Sequence, residues 1–237
     1  PMEWLTDTSY GRTFSNAQVK GHFTAHYVAA KNHFRVDIQI DNTQYLQHVI
    51  SNIKRVLDVD ADIATIEAHL EAQTKQAFPL TPGLRLPGIW SQFEAGIRAV
   101  LGQQVSVTAA HNLVTKLVSE LGDKQGEQVY FPSAEQVASS DFAFFNMPQA
   151  RKNALQNLAQ FCALNPHNDD LDLWLALKGI GPWTVNYAKL RGQSQTDILL
   201  DGDLGVKKAQ AASAPFDASQ CAPFRSYLTF QLWQQLT

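Results

Sequence analysis

The chain has few cysteines, no surplus of positive charge and no long apolar run. Its two cysteines, Cys162 and Cys221, stand far apart and neither belongs to a C-x-x-C pair. They cannot build a four-cysteine zinc or iron–sulfur site, and they read as buried thiols of a reducing compartment rather than a disulfide. No apolar stretch approaches the roughly 18–20 residues that span a bilayer, so a membrane protein is not expected, and the thiols point to a cytoplasmic location. Lys and Arg number 19 against 22 Asp and Glu, a net charge of −3. That balance excludes a basic, salt-driven nucleic-acid coat. It leaves open a DNA site made of main-chain amides and a few cations. The opening Pro1-Met2-Glu3-Trp4-Leu5-Thr6-Asp7 does not have the basic-then-apolar layout of a secretory signal. A chain that opens Pro-Met reads as a piece cut from a longer protein.

What is present is an ordinary globular composition over 237 residues, long enough for one large domain or two small ones. Phe34, Val36, Ile38 and Ile40 alternate with Arg35, Asp37 and Gln39, the period-2 pattern of a half-buried strand. Gly21 to Val28 reads as its partner, with Ala29 to Asn32 as the turn. From Asn42 the period becomes helical: Leu46, Val49, Ile50, Ile53, Val56 and Leu57 follow an Asn42-Thr43 cap. Residues 1–58 are therefore expected to form a small α+β domain. Beyond it the strand signal stops. Ile63 to Gln76 reads as a helix, and Trp90, Phe93, Ile97, Val100 and Leu101 make a helical stripe up to Gly102. A second stripe, Ala109, Ala110, Leu113, Leu117 and Leu121, closes at Gly122, which reads as a natural C′ residue. Pro132, Pro148 and Pro166 punctuate shorter helices up to Trp174. No repeat or low-complexity tract appears.

Leu177-Lys178-Gly179-Ile180-Gly181-Pro182-Trp183 carries the most information. Trp174 and Leu175 end one helix, two glycines two apart make a tight turn, and Trp183 begins the next helix. Gly179 and Gly181 would permit positive φ and close approach of another backbone. Amides at the second helix's start, Thr184 among them, would suit a phosphate oxygen. This is a helix-hairpin-helix pattern, although any helical hairpin with a glycine turn would satisfy the heptapeptide alone.

The wider context resembles the 3-methyladenine DNA glycosylase II family of the helix-hairpin-helix DNA glycosylase superfamily. The resemblance rests on Leu86-Pro87-Gly88, on Phe93 to Val107, and on the hairpin with Thr184-Val185-Asn186-Tyr187-Ala188-Lys189-Leu190-Arg191-Gly192. It continues through Phe145-Asn146-Met147-Pro148 and Phe224-Arg225-Ser226-Tyr227 to Trp233. It implies a mainly α fold: a small N-terminal α+β domain and a two-lobed helical helix-hairpin-helix glycosylase body over 59–237. One lobe is expected over 82–195, with the hairpin at about 170–190, and the other over 59–81 plus 196–237.

The resemblance also assigns roles. Asp203, twenty residues past Trp183, falls where the family places its essential aspartate, with Asp201 as the rival. An aspartate opening a helix through Val206, Lys207 and Lys208 is also an ordinary N-cap, and the roles are compatible because a helix N-terminus favours negative charge. Trp183, Tyr187 and Trp233 would line a cleft for the flipped base, where stacking and cation–π attraction of about 0.5–2 kcal/mol per contact favour cationic alkylated purines. Core packing is the competing reading of these rings. Relatives that also cut the strand carry a Schiff-base lysine where Trp183 stands, so a hydrolytic enzyme without lyase activity is implied. Family members push an apolar wedge into the duplex from the loop that here reads Gly102-Gln103-Gln104-Val105; Gln104 takes that place, and two solvent-exposed glutamines are the plain alternative. Backbone carbonyls of Leu175, Leu177 and Ile180 would hold a monovalent cation at the hairpin, and no other cofactor is implied. His22 and His26 share a strand face but lack acid or thiol partners at ligand spacing. The expected partner is double-stranded DNA, bound by a monomer away from any membrane.

Two other readings remain. Glycosylase-like domains occur fused to alkylation-responsive regulators, where the chain would be a non-catalytic DNA-binding module. The same fold could also act on a deaminated or oxidised base.

Overall fold

The computed structural model describes residues 2–236. The chain divides into two compact units, one made of Pro1–Ile50 and Val100–His167, the other of Ser51–Ala99 and Asn168–Thr237.

In the first unit, strands β1 (Glu3–Leu5), β2 (Ser9–Ser15), β3 (Lys20–Val28) and β4 (His33–Ile40) form an antiparallel sheet in sequence order. The β3–β4 pair has the register expected of its alternating residues, with Phe23 opposite Ile38 and Ala25 opposite Val36. Its turn is a short 3-10 segment, Ala29–Lys31, closed by Asn32 in the left-handed region at φ 47°. β1 and β2 escape the alternation rule for a physical reason. β1 has three residues, and in β2 four successive residues, Gly11 to Phe14, are buried, so neither shows a polar face to read. Thr13 Oγ1 donates to the Val129 carbonyl at 2.6 Å. That bond ties the sheet to a small ladder, β5 (Lys124–Gln125) with β6 (Gln128–Val129), which the sequence reading did not foresee.

Helix α1 (Leu46–Leu57) follows a 3-10 turn capped by the Asn42 side chain, and Val49, Ile53 and Val56 are its buried residues. Next come α2 (Ile63–Thr74), capped by Asp62, and α3 (Gln92–Gly102), which Trp90 precedes rather than joins. Ser106 caps α4 (Val107–Leu121), in which Val114, Leu117 and Val118 are buried and the other residues of the expected stripe, Ala109, Ala110, Leu113 and Leu121, are half-buried. Gly122 ends this helix as its C-cap at φ −71°, and a Cβ there would fall on the carbonyl oxygens of Tyr130 and Val118. Close approach, not dihedral freedom, selects glycine at this position. Helices α5 (Ala134–Ala138) and α6 (Gln149–Leu164) complete the first unit.

The second unit closes around one apolar core, in which Ile66 and Leu70 meet Leu190, Leu200, Val206, Tyr227, Leu228 and Leu232. Apart from Leu200, which lies in the segment before α8, these residues come from α2 and from three further helices: α7 (Pro182–Gly192), α8 (Leu204–Ala212) and α9 (Arg225–Gln234). Gly192 lets α7 sit against α3, since a Cβ there would meet Gln92 Cα at 2.7 Å. Among the described residues, no helix is long and apolar enough to cross a membrane.

Candidate active site

Helices α7, α8 and α9 bring one aspartate and two tryptophans together. The first limb of the hairpin is a 3-10 segment, Leu171–Ala176, not an α-helix. Leu177, whose carbonyl accepts the Ile180 N–H at 3.1 Å, opens the turn, and Gly179 has the positive φ of 93° that the turn requires. Gly181 differs: it is an extended N-cap at φ −115°, and a Cβ there would meet nothing within 4 Å. Pro182 then occupies the first helical position, where its missing N–H and fixed φ cost nothing. Lys189 Nζ holds both oxygens of Asp172 at 2.7 and 2.8 Å, joining the two limbs.

Trp183 and Tyr187, one helical turn apart on α7, stack on each other with ring centroids 5.4 Å apart and planes at 29°. A purine sandwiched between two rings needs about 7 Å, twice the roughly 3.5 Å contact distance. The pair is therefore one two-ring block, and Tyr187 backs Trp183. The Arg191 guanidinium lies 5.8 Å from the Tyr187 ring and 5.3 Å from that of Phe230, anchored by its Nε bond to the Pro87 carbonyl at 2.7 Å.

A turn from Leu200 to Asp203, closed by the Asp203 N–H on the Leu200 carbonyl at 2.9 Å, leads into α8. Asp203 is the N-cap of that helix, and its Oδ1 accepts the Val206 N–H at 3.0 Å. Two indoles complete the set. Trp233 Nε1, from α9, donates to Oδ1 at 3.0 Å, and Trp183 Nε1, from α7, donates to Oδ2 at 3.2 Å. The half-buried carboxylate thus receives three N–H groups from three helices. Phe230 meets Trp233 edge-on, centroids 5.0 Å apart at 72°, and fixes that ring. Asp201 sits exposed in the preceding turn.

Two residues beside the carboxylate were not singled out from sequence. Gly205 lies in the first turn of α8, where a Cβ would stand 3.0 Å from Asp203 Oδ1 and 3.3 Å from Trp233 Cδ1. Leu204, next to Asp203 in the chain, is 79% exposed, an apolar side chain left in solvent. A glycine directly inside a helix that an aspartate opens is the signal that could have found the first.

The remaining expected residues fall as follows. Thr184, in the first turn of α7, is 1% exposed. Ile180 is buried while Leu175 is exposed, their carbonyls flanking the turn with that of Leu177. In the first unit Gln104 is exposed with φ 57°, a left-handed conformation rare for a residue with a side chain. Its neighbour Gln103 is held by its carbonyl, which accepts Arg151 Nη2 at 2.6 Å. His22 Nδ1 meets the Gln128 amide at 2.6 Å and His26 meets Asp37 at 3.3 Å. No group of three or more metal-ligating side chains exists among the described residues. Cys162 and Cys221 are free thiols, pushed up by burial to about 12 and about 11.

The architecture is that of the helix-hairpin-helix DNA glycosylases. A 3-methyladenine DNA glycosylase from Archaeoglobus fulgidus superposes with TM-score 0.75 at 14% identity, covering 98% of this chain and 88% of that one. The Schizosaccharomyces pombe 3-methyladenine DNA glycosylase in complex with abasic DNA matches over 72% of this chain and 95% of its own, with TM-score 0.56 and 21% identity. Residues 1–91 match the family model of the AlkA N-terminal domain. DNA-3-methyladenine glycosylase 2 of Escherichia coli strain K12 is 30% identical over 98% of this chain and 87% of its own length. The chain belongs to that family and is a DNA-repair glycosylase, a hydrolase acting on DNA.

Proposed function

We propose that this enzyme hydrolyses the N-glycosidic bond of alkylated purines of the 3-methyladenine and 7-methylguanine type in duplex DNA, after base flipping and without cutting the strand. The observation that carries the reading is the Asp203 carboxylate, held by Trp183, Trp233 and Val206 beside an aromatic block. As the base leaves, positive charge grows on the sugar, and a carboxylate fixed in advance stabilises it without reorganising. The same group can orient or deprotonate the attacking water. The glycosidic bond lies inside the stacked duplex, so the nucleotide must first rotate out. Purines methylated at N3 or N7 already carry positive charge and leave without prior protonation. The faces of Trp183 and Trp233 would attract them by cation–π contact.

Support for a purely hydrolytic reaction comes from Trp183 itself, which occupies the place of the lyase lysine. Gln104 is the residue we assign to the gap left by the flipped base: it is exposed and held in a strained conformation, as functional loop residues often are. Gly179 and the open N-cap Gly181 would meet the DNA backbone, and the carbonyls of Leu175, Leu177 and Ile180 would hold a monovalent cation there. Leu177 O, already taking one N–H, keeps one lone pair for that purpose. We assign no other cofactor. The working form is taken to be a cytoplasmic monomer on double-stranded DNA, with the functional division at residues 58/59, and with 82–195 and 59–81 plus 196–237 as its lobes. The test is chromatography of the bases freed from dimethyl-sulfate-treated duplex, together with strand integrity before and after alkali. Release of 3-methyladenine and 7-methylguanine, with strands that break only after alkali, is the expected result. Release of other bases only, or strand breaks before alkali, would overturn the substrate or the lyase-free assignment.

A further inference from the structure

We infer that Trp183 and Trp233 are positioning residues that act through their indole N–H groups on Asp203, in addition to any stacking by their rings; this rests on the catalytic reading of Asp203 above. Counting acceptor sites makes the case. A carboxylate has about four lone-pair sites, two on each oxygen. Oδ1 receives both Val206 N at 3.0 Å and Trp233 Nε1 at 3.0 Å, so its two sites are filled. Oδ2 receives Trp183 Nε1 at 3.2 Å and keeps one. Oδ1 is therefore the anchored oxygen. Oδ2, with one open site, is the atom that meets the sugar's developing charge or the attacking water.

The surrounding packing is what such an arrangement requires. Each indole is fixed by a second ring: Trp183 by Tyr187 and Trp233 by Phe230. The helix start leaves no Cβ at Gly205, where one would stand 3.3 Å from Trp233 Cδ1, so that indole can lie over the turn that carries Asp203; Trp183 packs against Gly202 at ordinary contact distance, 3.8 Å from Cδ1 to the place of a Cβ. Another aromatic ring could replace the stacking surface of either tryptophan. It could not replace the N–H, and hydrogen bonds to a charged acceptor are the stronger kind. Stacking alone thus predicts that phenylalanine substitutes well at both positions, whereas the N–H assignment predicts that it does not.

The experiment uses the full chain on dimethyl-sulfate-treated duplex under single-turnover conditions. Trp183→Phe and Trp233→Phe are each expected to lower the rate at saturating enzyme about tenfold or more. The enzyme concentration for half-saturation should change by less than about threefold, since the lost bond acts on the chemical step. A second readout does not depend on activity: the indole N–H resonances of the five tryptophans. Asp203→Asn should move at least one of the two assigned to Trp183 and Trp233, because a carboxamide has a single acceptor oxygen, and should leave the other three in place. Phenylalanine variants with wild-type rates overturn the inference, as do indole signals that ignore Asp203→Asn. A loss confined to half-saturation also overturns it and returns the tryptophans to stacking alone. If wild-type enzyme frees no base at all, the function reading fails instead, while the indole signals still report on the hydrogen bonds.

Discussion

Gly205→Ala puts the crowding around Asp203 to a quantitative test. The added Cβ would stand 3.0 Å from Asp203 Oδ1, 3.3 Å from Trp233 Cδ1 and 3.3 Å from Leu236 Cδ1. Carbon contacts settle at about 3.5–4.0 Å, so the carboxylate oxygen and the indole must each retreat by a few tenths of an ångström. The Trp233–Oδ1 bond, now 3.0 Å, would stretch toward the edge of hydrogen-bonding range. Because a misplacement of about 1 Å costs roughly 100-fold in rate, a shift of this size should lower base release on the order of 3- to 10-fold. Stability moves less. Alanine in a helix gains about 0.5–1 kcal/mol over glycine, while crowding costs about 1–3 kcal/mol, so a net loss near 1 kcal/mol is expected. Single-turnover release and thermal melting on the same preparation measure both effects. A variant with wild-type rate and a raised melting temperature would show that the Cβ is accommodated, and would refute the claim that the carboxylate and Trp233 are closely confined.

Two further predictions concern other parts of the chain. Gln104→Gly should stabilise the protein by about 1 kcal/mol in chemical denaturation, because glycine carries no penalty for φ 57°, yet it should slow base release from duplex DNA; unchanged release would remove Gln104 from the flipping step. Asp197 is held below the usual carboxylate range by its hydrogen bonds from Arg225 at 2.6 and 2.8 Å. A depressed carboxyl contributes stability above its unfolded value of 3.8 and loses it as pH falls through the lower folded value. Asp197→Asn should thus lower the melting temperature at pH 7, and the gap to wild type should narrow as pH falls below 3.8; a gap that does not change with pH would contradict the pairing.

Much of the helical body could be read from the chain because its cues are local. The Gly179–Gly181 turn, the Asn42 cap before α1 and the stripe on α3 each act within a few residues. The first two strands could not be read: β1 has only three residues, and in β2 Gly11 to Phe14 are buried in succession and leave no alternation. The same limit applied at Gly122, where glycine answers to the carbonyls of Tyr130 and Val118 and not to its own φ. At the site, the family resemblance singled out Asp203, and its place before a helix made it readable as the N-cap that it is. The two indole bonds were not: Trp183 and Trp233 lie 20 and 30 residues from Asp203 in sequence, and only the packing of three helices turns both N–H groups onto one carboxylate.

The central claim is that Asp203 is the group on which base release depends. Its most direct test is release of free 3-methyladenine from methylated duplex DNA by wild type, Asp203→Asn and Asp201→Asn, with duplex binding measured on each. The account predicts a loss of several orders of magnitude for Asp203→Asn with binding retained, and near wild-type release for Asp201→Asn, whose side chain lies exposed in the preceding turn. Equal release by wild type and Asp203→Asn, or the loss falling on Asp201→Asn instead, would contradict it.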